Sequence, residues 1–262
     1  MKLPIILSLI LSMSGAAAAE SVQGIEWPGG AQVAVSLSYD DAVDSQLDFA
    51  APALLRHGLG ATFYLIPGRP TVQARMEEWR ALAKQGFELG NHTLYHGCSK
   101  SLSGREWVPD WDDLDKITIE QLRRDILTAN TLLQAIDGQT RRTFAAPCLD
   151  TKAGGEYYLD AISGDFVALR DLPHGMPAGS LAGMGPVGTS GAELVEFVKA
   201  NSKPGTLLFL VFHGVGGDYL SVSAEAHEEL LAYLAAHRDQ YWTASYLDIM
   251  DHVLGATAGL SR

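Results

Sequence analysis

Apolar positions along this chain switch repeatedly between two spacings. Residues 33–39 (VAVSLSY) alternate β-branched or apolar side chains with small polar ones, the period-two pattern of a strand. Residues 46–57 carry Leu47, Ala50, Ala51, Leu54 and Leu55 at helical spacing and stop at Gly58. A second strand follows over 61–66 (ATFYLI), closed by Pro67-Gly68, then a helix over 76–85 ending at Gly86 and a short strand over 87–90. Thr118 with Gln121 forms a capping box opening a helix that runs to Asp137. Short strands are predicted over 143–146 and 166–169, on either side of a helix near 155–162. Beyond them lie a helix over 192–202, the most apolar strand at 206–212 (TLLFLVF) and a helix capped by Ser223 that ends at His237. A strand over 242–245 and a helix over 246–254 follow. Two stretches follow neither period and read as long loops: 99–117, with Trp107 and Trp111, and the Gly- and Pro-rich 172–190. Strand and helix alternate throughout with no repeat or linker, which argues for one α/β domain built on a parallel sheet or barrel.

The first residues stand outside this pattern. Met1-Lys2 is a short positive start, residues 3–13 are apolar, and Ala17-Ala18-Ala19 offers small residues for cleavage. That is the order of a secretory signal peptide, with an apolar run too short to span a bilayer. Cleavage after Ala19 leaves residues 20–262 as a domain that is secreted or periplasmic, and no later stretch resembles a membrane span. Charge narrows the partners. With 19 Lys and Arg against 31 Asp and Glu, the formal charge is −12, which repels nucleic acid and anionic membranes and suits a neutral or cationic substrate. Nothing in the sequence marks a particular oligomeric state. Export carries the two cysteines, Cys98 and Cys148, into an oxidising compartment, where they form one disulfide or remain as two buried thiols.

In parallel α/β folds, functional side chains gather at the carboxyl ends of strands. Asp40 and Asp41 follow the first strand; Asn91, His92 and His96 follow the third. Pro147, Cys148 and Asp150 follow 143–146, Arg170 and Asp171 follow 166–169, and His213 follows the most apolar strand. His92 and His96 are four apart, so in a helical turn both rings face one side and can share a metal ion. Two histidines and one carboxylate leave a fourth position open, as catalytic sites do. Adjacent aspartates can divide the work, one on the metal and one as a base. His213, between an apolar run and GVGG, fits a ring at a pocket floor, whereas His227 on a helix reads as a packing or surface residue.

These segments resemble the motifs of the polysaccharide deacetylase family, the NodB-homology carbohydrate esterases. SYDDAVDSQ (38–46) resembles the family's Asp-Asp motif and HTLYH (92–96) its metal-binding histidine motif. FAAPCLD (144–150) and FLVFHGVGG (209–217) stand where its third and last motifs occur, and the likeness spans residues 30–250. The resemblance implies a distorted (β/α) barrel with fewer than eight strands. It also implies a divalent ion, usually Zn2+, on Asp41, His92 and His96. Asp40 would be the base, His213 the acid, a backbone N–H near Cys148 an oxyanion donor, and the substrate an acetylated glycan. In the third motif the family's usual Arg is replaced by Ala145 and its aromatic by Cys148, and the fourth motif, normally Asp and Trp, is not recognisable. Arg170 is expected to replace the missing Arg, and a Cys98–Cys148 bridge to tie the metal loop to the oxyanion loop. Two other readings stay open: a metal-dependent hydrolase of another C–N or ester bond, and a non-catalytic glycan binder. Trp107 and Trp111 are candidates for stacking on sugar rings.

Overall fold

The computed structural model describes residues 25–172 and 175–260, so the expected signal peptide lies outside the described residues. In chain order the elements are β1 (Val33–Asp40), α1 (Ala51–His57), β2 (Thr62–Leu65), α2 (Pro70–Ala74), α3 (Met76–Lys84), β3 (Glu88–Asn91) and α4 (Ile119–Asp137). There follow a small hairpin of β4 (Lys152–Ala153) and β5 (Glu156–Tyr157), α5 (Leu159–Ile162), β6 (Leu181–Met184) and α6 (Gly191–Asn201). The last are β7 (Thr206–Phe212), α7 (Ala224–Ala236), β8 (Tyr241–Ala244) and α8 (Tyr246–Leu260). Six strands form one parallel sheet in the order β3-β2-β1-β7-β6, with β8 paired to β1. The ladder forks at β1, whose first half pairs with β8 (from Val33 to Ser36) and whose second half pairs with β2 (from Ser38 to Asp40). Beyond β3 the wall continues through single bridges, Asn91 to Phe144 and Phe144 to Leu169. Among the described residues no bridge joins Leu169 to β6, so the wall curls into a barrel that stays open there. The distorted barrel with fewer than eight strands is the observed fold.

β1 shows how the pattern sets the layers. Val33, Val35, Leu37 and Tyr39 face the helices and pack into the main core with Leu54, Leu210 and Phe212. The alternate positions, Ala34, Ser36, Ser38 and Asp40, face the lumen. Trp27, Leu207, Tyr246 and Ile249 close the lower lumen around Ala34, leaving the polar side chains toward the upper rim. Buried Glu88 accepts hydrogen bonds from Thr62 Oγ1 (2.7 Å), from Thr143 N–H (2.8 Å) and Oγ1 (2.7 Å), and from Leu247 N–H (3.0 Å). It thereby ties β2, the Phe144 segment and the start of α8 together. The capping box of Thr118 and Gln121 forms as expected, and Gly58 ends α1 in the left-handed conformation at φ 56°.

Some expectations change. The segments 143–146 and 166–169 make single bridges rather than ladders, because Pro147 removes a donor directly after the first. The helix near 155–162 shrinks to α5. Gly154 and Gly155, at φ 56° and 83°, turn the β4–β5 hairpin in its place. The loop over 172–190 contains β6, whose LAGM sequence has no β-branched signal and pairs against the strongly apolar β7.

Candidate active site

Strand ends and unusual backbone bring the acidic and imidazole groups together. Asp41 and Ala42 follow β1 at φ 79° and 53°, two left-handed residues that turn the chain sharply and hold Asp41 beside Asp40. After β3 the chain does not form the helical turn expected of HTLYH. Thr93 and His96 have φ 62° and 65°, and the loop is pinned by side chains instead. Asn91 accepts from Thr93 N–H (2.7 Å) and donates to Ile126 O (2.9 Å) and to Asn130 Oδ1 (2.8 Å), while Thr93 Oγ1 accepts from His96 N–H (2.9 Å). The two rings still converge, with centroids 5.0 Å apart.

Asp41, His92 and His96 have ligand atoms all within 4.8 Å of one another. Asp41 Oδ1 is 3.4 Å from His92 Nε2 and 3.0 Å from His96 Nε2. His92 Nδ1 lies 2.8 Å from Ala145 O; a carbonyl only accepts, so Nδ1 carries the hydrogen and neutral His92 turns a lone pair on Nε2 toward Asp41. Buried Asp41 Oδ1 has no hydrogen-bond donor. Imidazole and carboxylate lone pairs facing one another out of water are what a divalent cation satisfies, and N and O donors suit zinc. The residues fit the ion. Asp41's other oxygen, Oδ2, accepts from Tyr219 Oη (2.7 Å), which in turn accepts from Arg69 (3.0 Å).

Asp40 is buried beside this cluster, its Oδ2 3.8 Å from His92 Nε2. Arg170 grips it with both arms, at 2.6 Å to Oδ1 and 2.7 Å to Oδ2, donates to Ser38 Oγ (3.3 Å) and lies 4.8 Å over the Tyr64 ring. Burial pushes Asp40's carboxyl up, but the Arg170 charge outweighs it and leaves it below the usual range. Asp41 is likewise held far below that range by the two imidazoles, against burial. Burial pulls both histidines down; the aspartates more than reverse this at His92, while His96 stays low. His213, half-buried, has Nε2 4.0 Å from Asp41 Oδ2.

Cys98 and Cys148 form a disulfide with Cα atoms 6.0 Å apart. Cys148 and Leu149 sit at φ 57° and 58°, and Arg105 braces the turn by donating to Cys148 O (3.1 Å) and pairing with buried Asp150 (3.0 Å). Asp171 Oδ2 accepts from Ala146 N–H (2.7 Å) just before it. All of the candidates, Asp40, Asp41, His92, His96, Cys148, Arg170 and His213, line one cleft of about 840 Å³. Trp107 lines it too; Trp111, 81% exposed, does not. His227 is a buried packing residue whose Nε2 is 2.6 Å from Tyr39 Oη. Sequence reasoning missed Tyr219, Arg69 and the bracing Arg105. The Gly-rich run after β7 was the one signal pointing near Tyr219.

The polysaccharide deacetylase family model matches residues 29–157. The peptidoglycan deacetylase PdaC of Bacillus subtilis shares the fold at 16% identity, over 89% of this chain and 96% of its own, with a TM-score of 0.58. BA3943 of Bacillus anthracis, described as a CE4 family pseudoenzyme, matches at 17% identity over 86% of this chain and 67% of its own, TM-score 0.54. The Xyl-CE4 domain of a multidomain xylanase from the hindgut metagenome of Trinervitermes trinervoides matches at 16% identity over 83% and 89%, TM-score 0.51. No curated protein matches in sequence.

Proposed function

We propose that this chain, a deacetylase that belongs to the polysaccharide deacetylase family, works as an exported metal-dependent hydrolase on an acetylated glycan. One observation carries the reading: a donor-free Asp41 oxygen faces two histidines beside a second carboxylate that Arg170 keeps ionised. Asp41, His92 and His96 would hold the ion. A divalent cation bound there, Zn2+ by the chemistry of its donors, supplies Lewis acidity to an acyl carbonyl and to water. Asp40 accepts the proton of the attacking water, and Arg170 fixes the direction of its lone pairs. The backbone N–H at Cys148, held by the disulfide and Arg105, is the oxyanion donor. His213, on the exposed side of the cluster, returns a proton to the departing sugar nitrogen or oxygen as the acyl bond breaks.

The net negative charge fits a neutral or cationic polymer, and the disulfide fits an oxidising compartment. Acetate release measured across N- and O-acetylated glycans, before and after a chelator and again on adding Zn2+, tests the reading. It expects release that the chelator abolishes and the metal restores. Release indifferent to the chelator, or none from any glycan by the metal-loaded protein, contradicts it.

A further inference from the structure

Strand register sorts the lumen-facing side chains into levels. Tyr39 pairs with Phe212, so the next residues, Asp40 and His213, share the upper level; below them Ser38 pairs with Val211, and lower still Ser36 pairs with Phe209. Phe209 pairs in turn with Gly183 on β6, and Gly185 continues to the level of Val211. On β6 the lumen-facing positions are therefore Leu181, at the low level of Leu207, and Gly183, with Gly185 just past the strand end; the two upper positions, beside the cleft, are both glycine. Packed barrels fill such positions with bulky branched side chains.

Backbone conformation does not require these glycines, since neither lies at positive φ. A Cβ on Gly183 would meet nothing closer than 3.9 Å, and one on Gly185 nothing closer than 4.0 Å. What they provide is space. Leu208, Leu210 and Phe212 on β7 are buried, whereas lumen-facing Phe209 and Val211 are only partly so. The catalytic cleft thus continues past His213 along Val211, Phe209 and the two glycines, at the open side of the barrel.

Resting on the deacetylase reading above, we propose that this chamber is an acyl pocket deeper than an acetyl group fills, and that the enzyme removes straight aliphatic acyl groups of several carbons. The sugar is hydroxylated and belongs at the hydrated rim, beside exposed Trp107 and Tyr219. The acyl tail is the part of the substrate that matches walls of Val211, Phe209 and bare glycine backbone. The reaction is ordinary hydrolysis: water adds hydroxyl to the acyl carbon, the C–N or C–O bond breaks, and the sugar leaves with a proton. Each methylene buried raises kcat/KM by about fourfold.

The test compares kcat/KM for acetyl-, butyryl- and hexanoyl-glucosamine derivatives. In parallel, calorimetry follows binding of the matching aliphatic hydroxamic acids to the metal-loaded protein. Both are expected to favour the longer chains. Gly183→Leu should lower the hexanoyl-to-acetyl ratio at least tenfold, and Gly183→Ala should lower it less, with melting curves checking the fold of each. Wild-type rates and hydroxamate affinities that fall as the chain lengthens would overturn the acyl pocket, as would a ratio that Gly183→Leu leaves unmoved. Acetyl release without longer-acyl release removes only this inference. No acyl release of any kind, with no metal bound, removes the deacetylase reading together with it.

Discussion

Replacing Arg170 with Met strands the carboxylate on which the proposed chemistry depends. The side chains of Arg170 and Asp40 are 4% and 5% exposed and joined by two short hydrogen bonds. Removing one partner of a buried ion pair costs about 3–5 kcal/mol, because the other charge is left without compensation. In a domain of this size that lowers the melting temperature by roughly 6–20 °C. Without the guanidinium, the largest influence holding Asp40's carboxyl down against burial is gone, so it rises and the base loses its orientation. Turnover should fall by about 10²- to 10⁴-fold. Adding Asp40→Asn to Arg170→Met removes the stranded charge and should recover most of the lost stability while leaving the protein inactive. Urea and thermal melts of the wild type, the single and the double variant read the first effect, and acetate release reads the second. A single variant as stable as the wild type, or a double variant no more stable than the single, would refute the energetic reasoning. Unchanged turnover in Arg170→Met would refute the positioning role.

Three further outcomes are expected. Reducing the Cys98–Cys148 bond, or replacing both cysteines with Ser, opens a loop spanning 50 residues and should lower stability by up to about 4 kcal/mol in denaturant melts. His227, pushed down to about 4 by burial, stays neutral in the fold while the unfolded chain takes up a proton below its ordinary value near 6.5. Its contribution is complete above that value and is lost as pH falls toward 4, about 3 kcal/mol in all. His227→Gln, which keeps an acceptor for Tyr39, should flatten that part of a pH–stability curve; an unchanged slope would exclude His227 as its source. Tyr219→Phe removes the donor to Asp41 Oδ2 and should weaken metal affinity by about 10- to 100-fold in competition with a chromophoric chelator.

Much of this architecture was legible in particular residues. In VAVSLSYD the alternation shows which side chains meet helices and which meet the lumen, and its last residue is the buried carboxylate. Thr118 and Gln121 announced a helix start that forms with both capping bonds. HTLYH was legible in composition but not in conformation. The expected helical turn is replaced by left-handed Thr93 and His96 that Asn91 and Thr93 side chains hold in place, bonds that local periodicity does not encode. β6 was hidden because its LAGM run lacks β-branched residues and has a glycine at Gly183, and because its pairing depends on β7, more than twenty residues later in the chain. Tyr219 reaches Asp41, and Arg69 reaches Tyr219 from 150 residues away in the chain, only through tertiary folding.

The most direct test of the central claim is metal stoichiometry. Wild-type protein and its Asp41→Asn, His92→Ala and His96→Ala variants, each confirmed folded, would be loaded with Zn2+, dialysed and analysed for bound ion. The account predicts one tightly held ion per wild-type chain and its loss in all three variants; an ion retained undiminished in them, or a wild-type protein that holds none, would contradict it.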